Sequence, residues 1–480
     1  MTPELGRQRT LEGSLAANLF RFGSPLAIGM GLQVTFNLVD AYLVSRLGGS
    51  ESGAALGAIG ICDQIAAIGS IISYGLSTAS ATVTSHRFGA GDFLGARRVA
   101  WQSTLLVAAL GLVFAIFGLL GAGWLMHDVV GAQGLVAELG TQYLRVIVGG
   151  NITIFLLLHL TTLARALGSS KTPVALVLFS NALNLVLAVL LVYGPGSAPG
   201  PFYWGPPLAR ALSIPRLGLV GAAWATVLAR VAVLVPIFVI LVRRFGLFVR
   251  ETRGPIDRPL WRKLWNLGWP SSTQLVVRIL AMLTVQSLVA RAYTTATDQA
   301  ATTALGIVFR LETMAMFIAL GWGSAAQTFV GQNLGAQKQA RAVASGWIAT
   351  GYNAAMMALL AIVYVGFGRP IVEFFNTTPA VVELGVQYLR TVSVSYIGLG
   401  IGIVLGSAIQ SAGLTRLTLA IDSLVLCTVL LPCIIVVERL GLPVTRIWQS
   451  IAVSYVGFAI AYVFIYRRPG LFKRELGRST

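Results

Sequence analysis

The sequence has few charged residues and very few acidic ones. Only 11% of its 480 residues are charged, and 17 Asp and Glu stand against 35 Lys and Arg. A soluble protein of this length needs more polar surface, so the composition excludes an ordinary soluble globular fold. Cysteine is also scarce. Cys62, Cys427 and Cys433 lie in apolar stretches, without the spacing of a disulfide framework or a zinc site.

Several catalytic patterns are absent as well. The sequence has no Walker A motif, which argues against a pump that hydrolyses ATP by itself. It has no His-Glu-x-x-His motif and no paired aspartate motif, so we expect a protein that is not an enzyme and needs no cofactor. Residues 1–16 are polar, so we expect no cleavable signal peptide.

Long apolar runs are what the sequence does have. Hydrophobic residues make up 56% of the chain, and twelve windows are long enough to cross about 30 Å of hydrocarbon. Backbone groups in lipid must be satisfied within each segment, which predicts helices. The windows are 24–46, 54–84, 97–125, 143–166, 173–194, 218–242, 268–292, 300–331, 345–368, 388–410, 417–437 and 446–467.

The two halves of the chain match each other at an offset of about 245 residues. Residues 138–145, ELGTQYLR, recur as 383–390, ELGVQYLR, with seven identities in eight positions. Residues 55–57, Ala-Leu-Gly, recur as 304–306. A duplicated six-span unit predicts an all-α integral membrane protein with 12 transmembrane helices in two six-helix bundles, related by a pseudo-two-fold axis along the membrane normal. Parallel repeats of this kind are typical of secondary transporters that work by alternating access.

The basic residues are sorted by loop, so their excess indicates orientation and not nucleic-acid binding. Most Lys and Arg lie at the termini and in loops after even-numbered spans, which places both termini in the cytoplasm of a cell-membrane protein. The expected divisions are a cytoplasmic N-terminal segment at 1–16, an N-lobe at 17–242, a basic cytoplasmic linker at 243–263, a C-lobe at 264–467 and a cytoplasmic tail at 468–480.

Asp40 is the leading candidate for function among the ionisable residues inside the spans. Gln33, Asn37 and Asp40 fall on one helical face, which predicts a stripe that lines water. A carboxylate in a membrane helix is costly and tends to face a bundle interior or an aqueous cavity. It can exchange a proton, hold a hard cation or serve as a hydrogen-bonded structural group.

Neutral oxygens and aromatic rings complete the candidate sites. Asn181, Asn184 and Thr226 offer the ligands that a sodium ion would need beside one carboxylate, with interhelical hydrogen bonding as the alternative. Aromatic rings can bind organic cations, although core packing is their commoner use. The candidates for a substrate cavity are Gln33, Phe36, Asn37, Tyr42, Tyr74 and Trp322.

Five other ionisable residues inside the spans have no assigned role in transport. Asp63 and Glu312 are candidates to balance the charge of Arg278 or Arg310. Asp422 is expected near a cytoplasmic end of its span.

From about Leu19 to Tyr466 the sequence resembles the MATE family of multidrug and toxic compound extrusion transporters. Four motifs carry the resemblance: 39–40 with 48–49, 75–79 with 89–91, 168–173 and 181–184. Val285 and Gln286 stand where another branch has a glutamate in the seventh span, so the chain is more similar to the DinF-like branch.

The resemblance implies a coupling-ion site formed by Asp40, Asn184 and Thr226, which would hold either a proton or Na⁺. Ala188 stands where such proteins have a second aspartate. The loss of one carboxylate weakens a sodium site, so proton coupling is slightly favoured.

The resemblance also implies an antiporter that exports small amphipathic, often cationic organic compounds. We expect a monomer whose partners are these substrates, H⁺ or Na⁺ and the lipid bilayer, with no nucleic acid. A flippase or exporter of lipid-linked saccharides or other lipid-like substrates, and a passive channel, are the alternatives.

Overall fold

The protein is helical throughout the part of the chain that the structure describes. A computed structural model gives the backbone of residues 3–47, 50–295 and 297–472, and no strand occurs in those ranges. The side chains at 3–5, 9, 35–41 and 50–52 lie outside the described residues.

Eighteen α-helices occur within the described ranges. They are α1 Pro3–Leu11, α2 Leu15–Ser45, α3 Ser50–Gly89, α4 Phe93–Trp124, α5 Gly134–Gly149, α6 Asn151–Ala166, α7 Lys171–Tyr193, α8 Gly205–Ala211, α9 Gly218–Phe245, α10 Arg258–Ala292, α11 Ala300–Gly335, α12 Gln339–Gly366, α13 Gly368–Phe375, α14 Pro379–Val392, α15 Tyr396–Ser411, α16 Thr415–Val425, α17 Leu431–Arg439 and α18 Thr445–Tyr466.

Every predicted span coincides with one of these helices or with two of them in series. Eleven segments among the described residues are long and apolar enough to cross a membrane. The predicted first span falls on α2, which has 31 residues. The predicted all-α membrane fold is therefore confirmed.

The fourth and tenth spans are interrupted, which the hydropathy windows did not predict. The fourth span divides into α5 and α6 at Gly150, and a 3₁₀ turn, Ser393–Ser395, separates α14 from α15 in the tenth. Glycine has low helix propensity, and the Ser393 hydroxyl bonds back to the carbonyl of Leu389, an arrangement that bends helices. The two interruptions follow the duplicated octapeptide.

Two compact units interleave along the chain. Unit 1 comprises Met1–Pro3, Leu32–Ser80 and Leu94–Gly268, and unit 2 comprises Glu4–Gly31, Ala81–Phe93 and Trp269–Thr480. Helices α2, α3 and α10 each contribute to both units. The lobe boundaries 17–242 and 264–467, drawn from the sequence repeat, stay a prediction.

Unit 1 is organised around α9, which packs against α5, α6 and α7. A glycine allows the closest of these approaches. A Cβ atom at Gly221 of α9 would lie only 2.5 Å from the carbonyl oxygen of Leu191 at the end of α7. The absent side chain therefore lets two backbones come into contact.

Unit 2 is organised around α11 and α15, which pack against each other and against α12. Helix α15 also packs on α18, where a Cβ atom at Gly398 would lie 2.5 Å from the carbonyl oxygen of Tyr455. The large side chains buried in this unit are mostly aromatic. They include Trp322, Tyr388, Tyr396, Trp448 and Tyr462.

The N-terminal segment is held by polar contacts within unit 2. The Lys338 ammonium donates to the carbonyl of Leu11 at 3.0 Å, and the Arg341 guanidinium donates to the carbonyl of Glu12 at 3.0 Å. Arg7 donates to the carbonyl of Gly89 at 3.0 Å. These contacts satisfy carbonyl groups that the ends of α1 and α3 leave open.

The predicted basic linker, 243–263, includes the end of α9 at Phe245 and the start of α10 at Arg258, and its bounds stay a prediction. Part of it is fixed to α4 within unit 1. Asp257 lies 3.0 Å from Arg98, and Gln102 donates to the carbonyl of Pro255 at 2.7 Å. The linker therefore has a defined path next to α4.

Large apolar side chains cover the outer faces of several long helices. Leu120 of α4 is 82% exposed, Ile362 of α12 is 68% exposed and Phe464 of α18 is 63% exposed. So much exposed apolar surface is unfavourable in water, whereas lipid chains solvate it. The chain is a multi-pass membrane protein.

Candidate coupling site

The leading candidate, Asp40, lies in the C-terminal part of α2, in the stretch that belongs to unit 1. The side chains at 35–41 are outside the described residues. This applies to Asp40, Phe36 and Asn37 alike, so their predicted roles are not tested by side-chain geometry. The backbone nevertheless places Asp40 in the same compact unit as α7 and α9.

The predicted neutral ligands lie on these two helices. Asn181 and Asn184 are half-buried on α7, and Thr226 is half-buried on α9. The Thr226 hydroxyl donates to the carbonyl of Ala222 at 3.0 Å, so its oxygen remains able to accept a hydrogen bond or bind a cation. The Asn181 amide nitrogen is buried and has no hydrogen-bond partner in the described part of the chain.

The predicted donor set would combine one carboxylate, on α2, with neutral amide and hydroxyl oxygens on α7 and α9, and it stays a prediction. Ala188, the position where a second aspartate was expected, is 1% exposed and packs in the apolar core of unit 1. Among the described residues, no group of three or more His, Cys, Asp or Glu side chains is arranged to hold a metal ion.

The candidate cavity residues are distributed over both units. Gln33, Tyr42 and Tyr74 belong to unit 1 and Trp322 to unit 2. Tyr42 is 38% exposed and its ring lies 5.3 Å from the Arg46 guanidinium. Tyr74 is half-buried and interacts electrostatically with Arg165. Gln33 is half-buried on α2.

Trp322 is the most enclosed of these candidates. It is 2% exposed, and its ring is stacked on that of Tyr352 with 5.3 Å between the centroids. Its ring also fills the space that a Cβ atom at Gly23 would need. Its assignment to a substrate cavity stays a prediction.

A second carboxylate in unit 1, Asp63, has partners that the sequence did not suggest. The Tyr143 hydroxyl on α5 donates to Oδ1 of Asp63 at 3.1 Å. The cation that interacts with Asp63 is Arg230 of α9, one turn after Thr226. The expectation that Arg278 or Arg310 balances Asp63 was therefore wrong.

Arg278 instead belongs to a buried network in unit 2. Its Nε atom lies 2.6 Å from Oδ2 of Asp422, whose side chain is fully buried. Gln274 donates to the same oxygen at 2.8 Å, and the Tyr462 hydroxyl donates to Oδ1. The Asp422 side chain is thus enclosed by other helices of unit 2, and its predicted position near a cytoplasmic end of the span stays a prediction. Its charge is compensated on site.

Glu312 of α11 has a different environment from Asp422. It is 9% exposed, and its Oε2 atom accepts a hydrogen bond from the Tyr388 hydroxyl at 2.5 Å. The Tyr455 hydroxyl of α18 donates to Oε1. Arg310, one of the two cations expected to balance Glu312, is exposed, and Arg278 is held by Asp422. The expectation of charge balance was wrong here too.

The two carboxylate and tyrosine pairs are equivalent in the sequence repeat. Asp63 and Glu312 each stand eight residues after the start of the shared Ala-Leu-Gly, and Tyr143 and Tyr388 occupy the same position in the shared octapeptide. Each tyrosine donates to its carboxylate. The sequence carries this signal, because both tyrosines belong to the duplicated octapeptide. A repeat by itself indicates the architecture and not which side chains are in contact.

Comparisons with known proteins agree with the resemblance seen in the sequence. A sequence model of the family described as MatE matches residues 25–190 and 276–435. The chain is 25% identical over 469 residues to a probable multidrug resistance protein, YpnP, of Bacillus subtilis. The match covers 96% of this chain and 97% of that protein. It is also 25% identical over 469 residues to an FAD transporter of Shewanella oneidensis, with 94% and 96% of the two chains covered.

Solved structures show the same fold. An outward-facing multidrug resistance MATE family transporter superimposes with a TM-score of 0.83 at 20% identity, covering 99% of each chain. The MATE transporter VcmN of Vibrio cholerae superimposes with a TM-score of 0.82 at 22% identity, covering 95% of this chain and 98% of that one.

Proposed function

Because the chain belongs to the MATE family of membrane transporters, we propose that it is a secondary antiporter that exports small organic compounds in exchange for a monovalent cation. The observation that carries the proposal is the family match over both halves of the chain. The placement of Asp40, Asn184 and Thr226 in one compact unit adds support.

Asp40 is the coupling carboxylate in this proposal. Asn181, Asn184 and Thr226 supply neutral oxygens next to it. We assign the coupling ion as a proton, because Ala188 offers no second carboxylate to compensate the charge of a sodium ion. The alternative is that Asp40, Asn184 and Thr226 bind Na⁺. In that case a sodium gradient, and not a proton gradient, drives transport.

The energy available from the gradient is sufficient for this task. One monovalent cation that moves down a potential of 100 mV releases about 2.3 kcal/mol. That is enough for a gradient of an uncharged substrate of roughly fifty-fold, since each factor of ten requires about 1.4 kcal/mol. A monovalent cationic substrate moves against the same potential, so its one-for-one exchange is driven by the concentration gradient of the coupling ion, at about 1.4 kcal/mol for each tenfold difference. No nucleotide hydrolysis is needed.

The proposed substrates are amphipathic organic cations, and aromatic side chains such as Tyr42 and Tyr74 would contact them. The YpnP relative, with its multidrug resistance name, supports this class. The relative named as an FAD transporter is equally similar and favours a second candidate, an aromatic dinucleotide anion. Export of a lipid-linked saccharide remains the third. We also propose that the protein belongs to the DinF-like branch, is a monomer and has both termini in the cytoplasm.

Purified protein in liposomes tests the proposal directly. Vesicles are loaded with a fluorescent organic cation, and a pH gradient, a sodium gradient or neither is imposed. We expect uphill movement of the cation with the pH gradient alone, without ATP. Movement driven only by sodium would assign the ion as Na⁺. If neither gradient drives uphill movement, antiport is refuted. Parallel vesicles loaded with FAD distinguish the two substrate classes.

A further inference from the structure

Unit 2 contains a buried carboxylate that is surrounded by tyrosines from four different helices. Tyr388 of α14 and Tyr455 of α18 donate to the two oxygens of Glu312. Tyr396 of α15 interacts with Glu312 electrostatically, and its ring lies 6.4 Å from that of Tyr455. Tyr364 of α12 lies 6.3 Å from Tyr396, and its hydroxyl donates to the carbonyl of Leu311.

No cation among the described residues is hydrogen-bonded to Glu312 or forms an ion pair with it. Arg278, the arginine that interacts with the neighbouring Tyr455, has its own ion pair with Asp422. Arg369 and Glu373 of α13, which also packs near α11, are exposed and pair with each other at 3.5 Å. A buried anion without a compensating cation is strongly unfavourable, so a proton is the simplest partner for Glu312.

The tyrosine hydroxyls can adapt to either protonation state of Glu312. Each hydroxyl can donate one hydrogen bond and accept others. When Glu312 is a carboxylate, Tyr388 and Tyr455 donate to it. When Glu312 is protonated, a rotated hydroxyl can accept the hydrogen bond that the carboxyl group donates. The hydroxyl of Tyr396 is buried and has no hydrogen-bond partner in the described part of the chain, so it is free to take part.

The same arrangement in unit 1 has a cation where unit 2 has none. Asp63, the equivalent of Glu312 in the repeat, interacts with Arg230. Arg230 favours the charged form of Asp63, without a direct ion pair, whereas no cation has this effect on Glu312 in the described part of the chain. Of the two equivalent carboxylates, Glu312 is therefore the one whose charge no neighbouring cation offsets.

We propose that Glu312, hydrogen-bonded by Tyr388 and Tyr455 and with Tyr396 nearby, is a second proton-binding site of this transporter, separate from Asp40. A proton is favoured over sodium because two hydroxyls are the hydrogen-bond partners of Glu312 in the described part of the chain. They are fewer oxygens than a hard metal ion coordinates, whereas one proton neutralises the carboxylate without further ligands. A role of this site in transport rests on the proposed proton-coupled exchange. Proton binding at Glu312 can be measured without transport.

Infrared difference spectroscopy on the full-length protein in lipid nanodiscs measures that binding. The carbonyl stretch of a protonated carboxyl group is recorded while the pH is raised and lowered. We expect a band of the wild-type protein to disappear as the pH rises, and this band to be missing from Glu312→Gln. Glu373→Gln, which changes an exposed glutamate of the same unit, is the matched control and keeps the band.

A second variant guards against misfolding of Glu312→Gln. Tyr455→Phe keeps the ring and removes one hydroxyl, so the band remains but moves to higher frequency, because a hydrogen bond to the carbonyl is lost. Identical spectra of the wild-type protein and Glu312→Gln would overturn the proposal, and so would an unshifted band in Tyr455→Phe. Loss of the band on addition of sodium chloride at constant low pH, but not of choline chloride, would overturn the choice of a proton.

This test separates the inference from the proposed function. An Asp40→Asn variant that still transports would refute the coupling role of Asp40 but would leave the Glu312 band unchanged. The absence of the Glu312 band would leave transport coupled to Asp40 intact.

Discussion

The guanidinium of Arg278 lies 2.6 Å from the carboxylate of Asp422, and the Asp422 side chain is completely buried while that of Arg278 is 19% exposed. This ion pair joins α10 to α16 within unit 2. Ion pairs of this kind contribute little net stability relative to apolar side chains, but the loss of one partner leaves an uncompensated charge. The arrangement therefore predicts an asymmetric response to mutation.

Asp422→Ala should destabilise the protein by about 3 to 5 kcal/mol, because Arg278 would keep its charge in a buried site. The double variant Arg278→Met with Asp422→Leu should lose less than the single variant, since both charges are removed. Unfolding in mixed detergent micelles at increasing SDS fraction measures the difference.

The exposed pair Arg369 and Glu373 provides the control for this measurement. Both side chains are solvent-accessible, at 62% and 44% exposure, so Glu373→Ala should cost less than about 1 kcal/mol. Equal losses for the two single variants would show that the Asp422 pair is not buried in the membrane-embedded protein.

The close approach of α7 and α9 makes Gly221 sensitive to the addition of a single methyl group. Gly221→Ala places a Cβ atom 2.5 Å from the carbonyl oxygen of Leu191, so the helices must separate. We expect a loss of about 1 to 3 kcal/mol and slower transport, because Asn184 and Thr226 lie on these two helices.

Gly351→Ala is the matched control for Gly221→Ala. It also lies inside a helix, α12, but a Cβ atom there meets nothing within 4 Å. Alanine is the better helix former by about 0.5 to 1 kcal/mol, so this variant should be neutral or slightly more stable. If Gly221→Ala behaves in the same way, the helices are not in contact as described.

Ala188 offers a test of what determines the coupling ion. Ala188→Asp adds a second carboxylate to the proposed site, and we expect it to increase sodium-driven export relative to proton-driven export in liposomes. Ala188→Asn has nearly the same shape without the charge and should not produce this change. A sodium response that is the same in both variants would mean that the number of carboxylates does not select the ion.

The sequence was sufficient to predict the spans but not their interruptions. A hydropathy window detects an apolar segment that is long enough to cross the bilayer. All twelve helical spans could therefore be located. The breaks at Gly150 and at Ser393–Ser395 leave hydropathy unchanged. They depend on local backbone propensity and on a side-chain hydrogen bond, which an averaged window does not register.

The partners of the buried charges could not be derived from the sequence either. Spacing along a helix shows which residues share a face, but not which neighbouring helix that face meets. The sequence therefore leaves Arg278 as a possible partner of Asp63 or Glu312, whereas the structure pairs it with Asp422. The tyrosines that bind Asp63 and Glu312 were visible as part of the duplicated octapeptide, and only the structure shows that they contact carboxylates.

The role of Asp40 as the coupling carboxylate is tested most directly by the Asp40→Asn variant in liposomes with an imposed pH gradient. We predict that it still binds the fluorescent cation but that its uphill export falls to the level of liposomes without protein. Asp128→Asn, which alters an exposed aspartate of unit 1, should export like the wild-type protein. Export by Asp40→Asn at the wild-type rate would contradict the account.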